Sequence, residues 1–211
     1  METAGPFELP MFPLGTVLMP GALLPLQVFE PRYRTLVQRC MRSTVEPEFG
    51  VTLIERGSEV GGGDVRTAVG CIARIVDVAE TPDGRYALMA IGTQRIRVLR
   101  WLPDDPHPRA RVEHWPDTGP LVGHEALAAA AEKLHRVVTL HALLLEVTPP
   151  RAASLSDDPA VATWQVCAEA PLGPLDRQRL LSTESPVARI DLLGSLLDDE
   201  ADTLERRIAL G

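Results

Sequence analysis

An α+β fold is the expectation for this sequence: a small β-barrel with one short helix, followed by a C-terminal α-helical subdomain. Two observations lead there. Up to residue 116 the apolar runs are short and cut by prolines and glycines, the pattern of strands that bend and change partners. From residue 120 onward apolar residues recur at steps of three and four. The 211 residues suit one large domain or two small ones sharing a core, and the change of pattern sets the units at 7–116 and 120–211. Apolar residues make up 45% and aromatics only 4%, so the interior is built mainly from Leu, Val, Ile and Ala.

The first run, Glu8 to Leu14, contains Pro10 and Pro13. Proline donates nothing to a ladder, so this run is expected at an edge or crossing between sheets. Val17-Leu18-Met19 is a short extended piece between turn signals at Gly15 and Pro20-Gly21, and Ala22 to Phe29 is apolar again around Pro25. Pro31 opens a helix, where its missing N–H costs nothing. Tyr33, Leu36, Val37, Cys40 and Met41 share one face of it, expected to cover one opening of the barrel. Strands follow at Phe49 to Ile54, Thr67 to Ala79, Tyr86 to Ile91, Arg95 to Trp101 and Arg109 to Trp115. Gly61-Gly62-Gly63 reads as a hairpin tip, Pro82-Asp83-Gly84 as a turn, and Gly92-Thr93 as a break between strands.

Leu121 to Glu146 carries a long helical stripe through Leu127, Ala131, Leu134, Val138, His141 and Leu145, ending before Pro149-Pro150. Asp158-Pro159 is a cap followed by a first-turn proline, and Val161, Trp164 and Ala168 line the helix it starts. Asp176 to Leu181 gives one or two turns. Ser185-Pro186 starts the last helix, with its stripe at Ile190, Leu193, Leu197, Leu204 and Ile208. The acids Asp198, Asp199, Glu200, Asp202 and Glu205 read as its solvated face.

Several chemistries are excluded or disfavoured. The net charge is −8: residues 1–116 hold 14 acids against 13 bases, and residues 117–211 hold 15 against 8. That balance argues against a nucleic-acid partner. The only lysine, Lys133, sits in Ala-Glu-Lys-Leu, so no GxxxxGK[ST] phosphate loop exists and a Schiff base has one candidate, which reads as an exposed helical lysine. Cys40, Cys71 and Cys167 are odd in number and far apart, which suits buried thiols in a reducing compartment. His135 and His141 are six apart and miss the helical spacing of a metal pair. Ser58, Ser154 and Ser156 lie outside any GxSxG. No cofactor or metal is expected. With no secretory n-region and no 18-residue apolar span, a cytoplasmic protein without a membrane segment is expected.

The run Leu9-Pro10-Met11-Phe12-Pro13-Leu14-Gly15, then Pro20-Gly21, then Leu24-Pro25-Leu26-Gln27-Val28-Phe29-Glu30-Pro31-Arg32-Tyr33, resembles the start of the N-terminal domain of the Lon protease family. The likeness continues through Phe49-Gly50-Val51, Gly70, Asp83-Gly84-Arg85-Tyr86 and Gly92-Thr93-Gln94-Arg95-Ile96, with Ile96 where that family often has Phe. It extends to Leu172, Gln178, Leu180, Leu181 and Arg189. The resemblance implies a PUA-like β pseudo-barrel joined to a helical subdomain, in a free-standing form without the ATPase or serine–lysine protease modules. In full-length members the domain helps select and hold protein substrates.

The function expected is therefore a non-catalytic module, not an enzyme, that binds unfolded polypeptide or a partner protein through an apolar patch or a free strand edge. Met11, Phe12 and Met19 are candidates for an adaptable apolar surface, with Arg32, Tyr33 and Arg95 beside them. Each also suits a packing role, Met11, Phe12 and Met19 in the core and Arg32 paired with Glu30. The alternatives are a hydrolase whose site is assembled in space, or an RNA-binding PUA-like protein.

Overall fold

A computed structural model describes residues 5–57, 65–151 and 154–210. The chain divides into two compact units, Met1–Pro116 and Asp117–Gly211. The first contains strands β1 (Phe7–Leu14), β2 (Leu23–Val28), β3 (Glu48–Arg56), β4 (Val65–Glu80), β5 (Tyr86–Leu102) and β6 (Arg109–His114), with helix α1 (Pro31–Met41) between β2 and β3. The second contains helices α2 (His124–Leu144), α3 (Pro159–Glu169), α4 (Pro174–Ser182) and α5 (Pro186–Leu210). The expected glycine hairpin tip at 61–63 and Ser58 lie outside the described residues.

The pseudo-barrel expectation is corrected. The strands form one six-stranded mixed sheet in the order β2-β5-β4-β3-β1-β6, and the sheet is not closed into a barrel. The second half of β5 also meets β6, which curls the sheet, but β2 is paired with β5 alone among the described strands. A six-residue strand with Pro25 at its middle suits such an edge, because proline lacks a donor for a second neighbour.

β1 is not an edge strand either. Phe7 to Pro10 runs antiparallel to β6, and Met11 to Leu14 runs parallel to β3. Each half registers with one partner, so Pro10 and Pro13 are tolerated inside the sheet. The expected break at Gly92 is absent, since β5 runs on through it with a register shift against β4. A Cβ on Gly92 would lie 2.1 Å from the Met19 carbonyl oxygen, so glycine lets the backbone of the 15–22 connection cross β5. The Pro82-Asp83-Gly84 turn forms, with Gly84 at φ +74°.

Two cores lie on this sheet. The larger joins Tyr33, Leu36, Val37 and Cys40 of α1 to Phe12, Val28, Phe49, Ile75, Tyr86 and Leu88. The smaller contains Leu9, Met11, Ile72, Ile96, Ala110 and Val112. Met41, expected on the apolar face of α1, is exposed at the end of the helix.

In the helical unit α2 packs chiefly on α5. The buried stripe of α2 is Leu127, Ala130, Leu134, Val137 and Ala142, rotated from the expected Ala131 and Val138. On α5 it is Ile190, Leu193, Leu197 and Leu204, as the spacing predicts, with Leu196 and Ala201 beside them. α3 buries Ala162, Thr163, Val166 and Cys167, and Val161 is exposed. The Asp158 side chain accepts from the Ala160 N–H, forming the expected cap. The acids of α5 are not all free: Asp198 pairs with Lys133, Glu205 with Arg136 and Glu200 with His141, all across from α2.

Candidate functional site

Five of the six residues singled out in the sequence are buried: Met11, Phe12, Met19, Tyr33 and Arg95. Three of the six come together at the start of α1. The Arg32 Nε donates to Glu30 Oε2 at 3.0 Å, and its guanidinium stands over the Tyr33 ring at 4.6 Å. That ring stacks on Phe12 at 3.8 Å between centroids, tilted by only 6°. Glu30, Arg32, Tyr33 and Phe12 thus form one stack from surface to core, fixing where the chain leaves β2. Met11 lies in the smaller core, its Sδ occupying the space where a Cβ on Gly50 would sit. Arg95 is apart from these, over the Trp115 ring at 4.6 Å, with its carbonyl accepting the Trp115 N–H.

The exposed apolar surface lies next to that stack. Leu23 at the start of β2 is 63% exposed, and Phe29 just past its end is 56% exposed. Pro25 and Gln27 also face solvent, whereas Leu24 and Val28 are buried. The alternation follows from strand geometry: residues of one parity enter the core and the others stand outside. An edge strand carrying exposed apolar side chains is a template for an added strand. Leu23 and Phe29 escape the sequence reading because an apolar strand residue is exposed only where the neighbouring strand or layer is missing.

A second concavity, an open groove of about 450 Å³, lies where β1, the end of α1, the start of β3 and the 105–109 turn converge. Phe7, Leu9, Pro10 and Val45 supply its apolar wall, and Glu8, Glu46, Glu48, Arg39, His107 and Arg109 its polar groups. The buried His107 ring is held on both nitrogens: Nδ1 is 3.0 Å from the Pro108 carbonyl and Nε2 is 3.4 Å from Arg39 Nη1. An arginine only donates, so Nε2 accepts and Nδ1 carries the proton. Burial, with the Arg39 charge, holds His107 below its ordinary value against the Pro108 carbonyl and Asp105. Burial pushes the Cys40 thiol, which lines the same groove, up to about 12, the opposite of an activated nucleophile. Burial also raises Cys71 and Cys167, and all three thiols are free. Among the described residues no group of three or more His, Cys, Asp or Glu side chains is placed to hold a metal ion, and no helix is long and apolar enough to cross a membrane.

A mixed sheet with one short helix, followed by a helical unit and offering an exposed strand edge, defines a binding module. The chain belongs to the family described as the ATP-dependent protease La (LON) substrate-binding domain, whose model matches residues 8–199. The matched residues correspond to the substrate-binding part of that protease architecture. Over 208 residues it is 30% identical to the Lon protease of Anaeromyxobacter dehalogenans, covering 95% of this chain and 24% of the relative. It is 26% identical to the Lon protease of Escherichia coli K12 over 218 residues, covering 98% of this chain and 27% of the relative. The chain thus spans about a quarter of the length of these relatives. Among solved structures it is similar to a Lon N-terminal domain protein from Xanthomonas campestris, with a TM-score of 0.65, 32% identity and coverage of 89% of this chain and 96% of that one. The N-terminal domain of the Mycobacterium avium complex Lon protease shares the fold, with a TM-score of 0.61, 18% identity and coverage of 92% and 99%.

Proposed function

We propose that this chain holds extended, apolar segments of unfolded polypeptide along the outer edge of β2. The observation that carries the reading is that β2 is paired with β5 alone among the described strands and that Leu23 at its start and Phe29 just past its end are exposed. An incoming segment would take backbone hydrogen bonds from the strand and place alternate side chains against these two residues. Family membership supports a polypeptide ligand, because the family is described as a substrate-binding domain. Met11, Phe12, Met19, Arg32, Tyr33 and Arg95 act in this reading by shaping the platform. The Phe12–Tyr33–Arg32 stack fixes the start of α1 next to Phe29, and Met11 packs in the smaller core of the sheet. Residues 7–116 and 120–211 serve as separate subdomains, with binding assigned to the first, in a protein working in the cytoplasm on unfolded or partner polypeptides.

Titration of the protein with a reduced, carboxymethylated polypeptide tests the reading. Weak, saturable binding is expected, and L23E with F29E should weaken it about tenfold or more, since a charge at each contact disrupts apolar docking. The double variant should keep the unfolding midpoint of the parent, as both side chains are at the surface. Absence of binding up to high micromolar concentration, or binding indifferent to both substitutions, would refute the assignment.

A further inference from the structure

The side of β2 turned away from β5 lacks its middle donor. The chain enters the strand through a turn and a bulge. The Ala22 N–H donates to the Met19 carbonyl at 3.1 Å across Pro20 and Gly21, and Gly21 sits at φ +79°. The Gly21 N–H donates to the Gly92 carbonyl at 2.8 Å, and the Gly92 N–H donates to the Ala22 carbonyl at 2.9 Å. A left-handed glycine whose successor shares its partner is a glycine bulge, and here it fixes which way each later peptide points. The Ala22 carbonyl faces β5, so the Leu23 N–H, on the other side of that peptide, faces away. From there the groups alternate. Leu24, Leu26 and Val28, in register with Ala90, Leu88 and Tyr86, turn N–H and C=O to β5, and Leu23, Pro25 and Gln27 turn theirs to the other side. Pro25 therefore costs the sheet no bond. It leaves that side with N–H donors at Leu23 and Gln27 and only a carbonyl between them.

We infer that Pro25 sets the strength and the selectivity of pairing along β2. An extended segment is fastened at Leu23 and Gln27 and held at its centre through the Pro25 carbonyl alone. In an antiparallel arrangement the residue facing Pro25 gives its N–H to that carbonyl, and its own carbonyl receives nothing in return. A parallel segment loses the same donor. One backbone bond fewer weakens the hold by about fivefold, which favours release. The selectivity falls on the centre of the segment: a proline there has no N–H for the Pro25 carbonyl, so the central pair is lost altogether. The same gap acts against a second copy of this chain. Antiparallel pairing of two β2 edges centred on Pro25 sets proline against proline and forfeits both central bonds. This role depends on the proposed binding along β2.

Titration of P25A, Q27A and Q27P with the reduced, carboxymethylated polypeptide tests this role. P25A restores a donor and should bind about fivefold more tightly than the parent. Q27P removes a donor and should bind about fivefold more weakly than Q27A, which keeps the N–H and lacks only the side chain. All three changes lie on the side of β2 away from β5, so the unfolding midpoints should stay near that of the parent. In the bound parent, amide exchange should slow at Leu23 and Gln27, and in bound P25A at position 25 as well. P25A that binds no more tightly than the parent, or exchange at Leu23 and Gln27 that binding leaves unchanged, would overturn the inference. Should Q27P fail to fold, P25A and the exchange rates decide. Polypeptide that does not bind the parent, or that ignores L23E with F29E, overturns the β2 reading and this role with it. Binding that L23E with F29E weakens and P25A leaves unchanged overturns the role of Pro25 alone.

Discussion

Arg189 of α5 and Asp117, 72 residues apart, form a two-pronged ion pair inside the helical unit, with Nη1 on Oδ2 at 3.0 Å and Nη2 on Oδ1. Arg189 is fully buried, donates also to the Leu180 and Thr183 carbonyls, and stands over the Trp164 ring at 3.7 Å. One guanidinium therefore ties the start of this unit, the end of α4 and α3 to α5. Removing it takes the two-pronged donor from a partly buried carboxylate and one donor from each of two carbonyls. R189A should cost about 3–5 kcal/mol in a denaturation experiment. R189K should recover little of it, because an ammonium cannot supply the planar fork. A loss below about 1 kcal/mol in R189A would show that the pair is not a structural tie.

Gly92 should resist substitution. A Cβ there meets the Met19 carbonyl at 2.1 Å, and both partners are backbone, so neither moves cheaply. G92A is expected to lower stability by about 1–3 kcal/mol or more, read as a shifted urea midpoint. An unshifted midpoint would mean that the crossing loop is free to lift away.

His107 gives the β unit an acid sensitivity. Its folded-state value lies below the ordinary one, so the unfolded chain takes up the proton first as pH falls. Stability from this group is complete above the ordinary histidine range and is lost as pH drops through that range toward the lowered value. Urea midpoints at pH 7.5 and 5.5 should differ more in the parent than in H107N, which has no titrating ring. The same pH slope in both proteins would assign the effect elsewhere.

The single lysine is a surface matter. Lys133 Nζ lies 2.5 Å from Asp198 Oδ2, with both side chains about half exposed. K133A should change stability by less than about 1 kcal/mol, since exposed pairs gain little over their hydrated components. A larger loss would mean that the pair acts with Arg136–Glu205 as a network, and the double variant would then be non-additive.

Local signals were readable wherever one element decides the outcome. The apolar face of α1 at Tyr33, Leu36, Val37 and Cys40, the Asp158 cap and the Gly84 turn all follow from spacing and residue type. The stripe of α2 was misplaced by one position at Ala131 and Val138 because Ala128 to Ala131 is uniform and marks no face. Partner choice was not readable. Pro10 and Pro13 point to an edge or to a crossing between sheets, whereas β1 stays in one sheet and gives each half a different neighbour. The groove was equally hidden, since its lining comes from stretches of β1, α1, β3 and the 105–109 turn that only the fold assembles.

The divided allegiance of β1 also sets a schedule for the newborn chain. Glu8 is registered against Arg111, so the first strand must wait about a hundred residues for half of its ladder. At ribosomal rates of roughly 5–20 residues per second that interval lasts on the order of 5–20 seconds. Throughout it Phe7 and Leu9, in the half that waits, lack their partner strand. Two prolines in eight residues keep that stretch from zipping onto a stray strand, so the residues that make it look like a poor strand guard it until its partners emerge.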